Sequence, residues 1–216
     1  MKKYLWIPLL MVLGILSGTT HAAIINVWGD KSSDGFDARF IPDTLVDALY
    51  KNQELLLPDN FPTSKQVGFN EKQTLKLDND LSFGGSVFAK GTVVSSHIIY
   101  FDTRDSLYGE HSNVNWQFDG DILAVLTTNK DLKATDSLFG LSGNTYSFKW
   151  RGLEGSDSYS FEGDTLTLSM VVSEPGDWVR VLVDVPEPAT VALLGVGLLM
   201  LGGRSMLNRR CPARLV

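Results

Sequence analysis

Through the middle of the chain, short runs rich in Val, Ile, Thr and aromatic residues alternate with turn-forming Gly, Asp, Asn and Ser. The runs are Ile24 to Trp28, Glu54 to Leu57, Gln73 to Leu77, Thr92 to Phe101, Trp116 to Thr127, Tyr146 to Arg151, Ser158 to Phe161, Thr165 to Val172 and Trp178 to Val183. Their lengths and residue types predict strands. In the clearest one, Leu166, Leu168, Met170 and Val172 alternate with Thr165, Thr167, Ser169 and Val171, the period of a strand with one buried face. Trp116 and Phe118 share a parity that continues at Ile122, Ala124 and Leu126, so Trp116 to Thr127 is expected as one core strand. Asp43 to Tyr50 predicts a short helix capped by Asp43 after Pro42, and Lys130 to Leu138 a single helical turn. The expected fold is mainly β: a single antiparallel β-sandwich or jelly roll with one or two short helices.

The two ends follow a different pattern. Lys2 and Lys3 precede an apolar stretch from Tyr4 to Leu16, and Thr20 and Ala22 place small residues before a cut between Ala22 and Ala23. This is the layout of a secretory signal peptide, with an apolar run shorter than the ~20 residues of a spanning helix. At the other end, Val185, Pro186, Glu187 and Pro188 lead into an apolar run over about 189–203, followed by Arg204, Arg209 and Arg210. The prolines break an approaching strand or helix, and the arginines resist translocation. The predicted organisation is a signal peptide at 1–22, a secreted β-sandwich domain at 23–184 and a sorting segment at 185–216 with a short transmembrane helix.

The C-terminal residues resemble the PEP-CTERM sorting signal of Gram-negative bacteria, which combines a Pro-Glu-Pro motif, a short transmembrane helix and a basic cluster. The resemblance implies an exosortase as processing partner. It also implies a precursor held transiently in the inner membrane, then delivery to the cell surface or extracellular matrix of a biofilm-forming, exopolysaccharide-producing species. Here Ser205 to Asn208 separate Arg204 from Arg209 and Arg210, so the helix ends at Arg204 or runs to Asn208 with Arg204 snorkelling.

The central region resembles uncharacterised PEP-CTERM surface proteins. The matching pieces are Glu71-Lys-Gln-Thr-Leu75, Gly91 to Asp102, Phe118-Asp-Gly-Asp-Ile-Leu123, Leu132 with Thr135-Asp136, Arg151-Gly-Leu-Glu154, Pro175-Gly-Asp177 and Arg180-Val-Leu182. That resemblance implies one domain and brings no activity with it.

Charge narrows the partners. The chain's net charge is −6, while the ends carry +2 over 1–22 and +3 over 185–216, so residues 23–184 hold −11. Nucleic acid is not an expected partner, since binding it draws on Lys and Arg against phosphate. The single Cys, Cys211, lies in the tail and excludes a disulfide framework. His97 and His111 are the histidines of 23–184; they have no zinc-ligand spacing and no Gly-x-Ser-x-Gly partner motif, so a catalytic triad is not expected.

Carboxylate pairs occur at Asp78 and Asp80, Asp102 and Asp105, and Asp119 and Asp121. The last pair is the candidate for a structural calcium, or simply a turn around Gly120. Read as a glycosidase pair, such acids would make a glycan-active enzyme, but secreted acidic domains offer them routinely. Trp28, Trp116, Trp150 and Trp178 are either core residues or a platform for sugar rings. The expectation is a noncatalytic exported surface protein without a required cofactor, with a carbohydrate- or calcium-binding module as the alternative and extracellular polysaccharide as a candidate partner.

Overall fold

A strand covered on one face alternates apolar with polar residues, whereas one covered on both faces reads as a continuous apolar run. Both kinds are present, and they sort into two sheets. The computed structural model describes residues 22–29, 39–40, 65–102, 108–141, 146, 151–172 and 176–185, all within the compact unit His21–Pro186. The strand expected at Glu54 to Leu57, the helix expected at Asp43 to Tyr50, Trp150 and both terminal segments lie outside the described residues.

The strands are β1 (Ile24–Gly29), β2 (Arg39–Phe40), β3 (Lys65–Asn70), β4 (Leu75–Lys76), β5 (Leu81–Phe83), β6 (Ser86–Phe88), β7 (Val93–Asp102), β8 (Gly109–Phe118) and β9 (Ile122–Leu126). Helix α1 (Asn129–Phe139) follows, then β10 (Ser158–Glu162), β11 (Thr165–Val172) and β12 (Asp177–Asp184). Sheet A has the order β1-β8-β11-β10. Sheet B has the order β2-β3-β7-β12-β9, with β4 also on β7, and β5 and β6 form a separate hairpin. Every pairing is antiparallel except the two-residue β2–β3 contact, which is parallel.

Sheet A packs one face on sheet B. Val114, Trp116 and Phe118 of β8 and Leu166, Leu168 and Met170 of β11 meet Ile99 and Phe101 of β7 and Val179, Val181 and Val183 of β12. The opposite face of sheet B is also covered: Val94, Ile98 and Tyr100 of β7 and Trp178 and Leu182 of β12 pack with Leu132 and Phe139 of α1 and Phe88 of the hairpin. The domain is therefore a sandwich with a third layer, and β12 is buried at every position but its last. Gly68 of β3 lies directly against the Trp116 ring, and any Cβ there would collide with it.

Several expectations need correction. The run Trp116 to Thr127 is not one strand: its first part ends β8 in sheet A and its second is β9 in sheet B. Gly120 makes the crossing, passing so close to the Asp184 carbonyl that a side chain would clash. The single turn expected at Lys130 to Leu138 is a longer helix, because Thr128 caps it, accepting from Asp131 N–H at 3.1 Å, and Leu132, Thr135 and Phe139 bury one face. Only Leu75 and Lys76 of Gln73 to Leu77 are paired, and residues 147–150 of the expected strand Tyr146 to Arg151 lie outside the described residues.

Candidate functional site

Among the described residues, a dense polar constellation lies between α1 and sheet B. Arg180 sits mid-strand in β12, its parity aiming it with Trp178 and Leu182 at the helix rather than at sheet A. Its guanidinium donates from Nε to Glu71 Oε2 at 2.6 Å and from Nη2 to Glu71 Oε1 at 2.8 Å, a bidentate fork. The remaining donors reach Thr135 Oγ1 at 2.6 Å and the Leu132 carbonyl at 3.1 Å, both on α1, and Asp136 Oδ1 at 3.1 Å.

Glu71 accepts further from Ser96 Oγ at 2.7 Å and Tyr146 OH at 2.6 Å. Arg151 pairs with both oxygens of Asp136. Lys72 completes the clamp, its Nζ donating to the Leu138 carbonyl at 2.8 Å and the Ser137 carbonyl at 3.2 Å at the C-terminal end of α1, where a cation is favoured.

The side chains of Arg180 and Glu71 are wholly buried. Burial works against the Arg180 charge, but the Glu71 carboxylate, through its charge and its hydrogen bonds, more than offsets this and holds the guanidinium pKa above its usual value. Burial, then the same carboxylate, pushes the Tyr146 phenol up, so it stays a donor. With its donors and acceptors facing one another, the constellation fixes a helix on a sheet.

Glu71, Asp136, Arg151 and Arg180 come from four of the stretches that carry the resemblance of the central region, and the fold brings them together. Sequence reasoning had the residues but not their convergence, since 109 positions separate Glu71 from Arg180.

The sheet A side of sheet B holds uncharged polar groups. Trp116 Nε1 donates to Gln66 Oε1 at 3.0 Å, Gln66 N–H donates to His111 Nδ1 at 3.3 Å, and His97 Nδ1 meets Asn70 Oδ1 at 2.9 Å. His97 packs tilted on Phe118 and His111 on Phe101. Burial lowers the His97 pKa to about 3, against a weaker opposing effect of the Ala22 backbone. Both histidines are fully buried core residues.

Asp119 and Asp121 are exposed on the β8–β9 turn. Their backbones hold the crossing, Asp119 N–H donating to the Ala23 carbonyl and Asp184 N–H to the Asp121 carbonyl, both at 2.9 Å. Among the described residues no group of three His, Cys, Asp or Glu side chains is placed to hold a metal. Of the tryptophans, Trp116 and Trp178 are buried, whereas Trp28 is 45% exposed. Among the described residues no helix is long and apolar enough to cross a membrane; the expected span at 189–203 lies outside them.

The remaining candidates are the sorting residues. A family model of the PEP-CTERM protein-sorting motif matches residues 184–210, the stretch that holds Val185, Pro186, Glu187, Pro188, Arg204, Arg209 and Arg210. The chain thus carries a PEP-CTERM sorting motif, and this motif implies an exosortase-targeted, exported surface protein made as a membrane-anchored precursor. No curated protein and no solved structure matches the chain.

Proposed function

We propose that the protein is a noncatalytic component of the cell surface or extracellular matrix, exported by a signal peptide cut between Ala22 and Ala23 and processed by exosortase at the Pro-Glu-Pro segment. The observation that carries this reading is the sorting motif at 184–210, joined to a domain in which buried Arg180 and Glu71 hold a helix on a sheet. The prolines keep the backbone extended for a peptidase, while Glu187 resists entering the bilayer. In the native host, Glu187→Ala leaves export intact and causes full-length, membrane-bound precursor to accumulate on fractionation and immunoblotting. Normal processing of the variant would contradict the proposal.

A second reading, binding of extracellular polysaccharide, is favoured by the solvent-facing side of sheet A. Registers place Trp28 beside Asn115, Asn115 beside Thr167 and Thr167 beside Ser160, a row of one indole and three uncharged polar side chains across all four strands. Thr167 Oγ1 donates to Asn115 Oδ1 at 2.8 Å, which orders that row. Indole faces and neutral hydrogen-bonding groups suit sugar rings. Retention of the exported protein on the host's purified exopolysaccharide falls in Trp28→Ala if this face binds, and is unchanged if it does not.

A further inference from the structure

Sheet A has two edges, β1 and β10, and they are finished differently. The β1 edge carries a register shift between Ile24 and Asn26, a device that spoils pairing with a further strand. The β10 edge carries none: Ser158 to Glu162 pair residue for residue with Ser169 to Thr165, and among the described residues β10 has no other strand beside it. It contains no Lys or Pro, and all of its residues are exposed. Tyr159 and Phe161 lie opposite Leu168 and Leu166, on the core-facing side of the sheet, yet remain 43% and 44% exposed because the core ends at β11.

We propose that β10 is a self-pairing edge, through which two copies of the chain join sheet A to sheet A antiparallel about Ser160. The argument for a second copy is the symmetry of the strand itself. With Ser160 facing the partner subunit's Ser160, Tyr159 faces the partner subunit's Phe161 on the core side, and Ser158 faces the partner subunit's Glu162 on the other. Each aromatic ring thereby gains an aromatic neighbour, which strand pairs favour, and the only charge of the strand, Glu162, meets a hydroxyl instead of its own copy. An unrelated partner strand would not require this near-palindrome.

The contact is isologous, so it closes at two copies rather than growing a fibre. Two short strands and four half-covered rings bury less than the ~1,200 Å² of a stable complex, so association is reversible and rises with concentration.

The test uses exported protein purified from the host, whose residues 23–184 contain no cysteine of their own. Facing strand residues have Cα atoms ~4.5–5.5 Å apart, inside the ~4.4–6.8 Å reach of a disulfide. Ser160→Cys therefore gives a covalent dimer on mild oxidation. Ser158→Cys does not, because its copies sit four residues out of register, ~14 Å apart. Without any cysteine, Tyr159→Lys weakens the dimer at least tenfold in sedimentation equilibrium while leaving the melting temperature unchanged. No dimer from Ser160→Cys, equal cross-linking at both positions, or self-association untouched by Tyr159→Lys would each overturn the proposal.

Discussion

Sheet B is packed on both sides, and its two faces are built by opposite means. Toward sheet A, Val179, Val181, Val183, Ile99 and Phe101 make an apolar contact that also takes in the polar side chains of His97, His111, Asn70 and Gln66. Toward α1, the same β12 contributes Arg180, held by Glu71 and Asp136. An apolar face tolerates exchange of similar volumes and small slides between layers. A buried guanidinium with four protein partners does not, so it fixes the height and rotation of α1 on the sheet.

The largest effect distinguishing the faces should come from Arg180→Met. Leaving Glu71 buried and unpaired costs about 3–5 kcal/mol in denaturant unfolding of the exported protein. Adding Glu71→Met recovers a large part of that loss, since a buried ion pair replaced by apolar groups is often near neutral. If the double variant were as unstable as the sum of the singles, the network would not act as a unit.

The neutral face is probed by acid. His97 has a folded pKa of about 3 against 6.5 unfolded, so its contribution is complete above pH 6.5 and is lost as pH falls from there toward 3. The slope is about 1.4 kcal/mol per pH unit, or about 2 kcal/mol lost by pH 5. Unfolding measured from pH 6.5 to 5 shows this decline in the wild type and a shallower one in His97→Gln. Equal slopes would mean that His97 is protonated without penalty.

A smaller effect sits where α1 begins. Thr128→Ala removes the cap and costs about 1 kcal/mol, read from the same unfolding curves; no loss would mean that Arg180 and Lys72 alone define the helix. The smallest concerns the β8–β9 turn. A pair of carboxylates with a millimolar dissociation constant adds only about 0.4 kcal/mol at millimolar calcium. The calcium reading of Asp119 and Asp121 needs a rise in melting temperature of that order, abolished by Asp121→Ala.

The same contrast explains what the sequence disclosed. The alternation of β11 gave its span and buried face because only one side of it is covered. Strand β3 went unread because its sheet A side carries Gln66, Gly68 and Asn70, residues chosen for partners across the core rather than for hydropathy. The hairpin β5–β6 had a readable mark in Gly84-Gly85, both at positive φ, a two-residue turn between short apolar pieces. Trp116 to Thr127 misled because the parity of Phe118 continues through the turn at Gly120 into a different sheet. The ion network was invisible as a network, since pairing across 109 residues leaves no local period. The sorting motif at 184–210 was legible because its pattern lies along the chain, in a linear order of Pro-Glu-Pro, apolar run and arginines.

The account rests most directly on the fate of that C-terminal segment. Intact mass of the protein from its native host, beside a strain lacking the exosortase, measures it. The expected result is a mature chain ending near Pro186 to Pro188 in the host, and a chain retaining the arginines in the exosortase-lacking strain. A mature protein that keeps Arg214 in the host would contradict the sorting account and make residues 185–216 an ordinary membrane anchor.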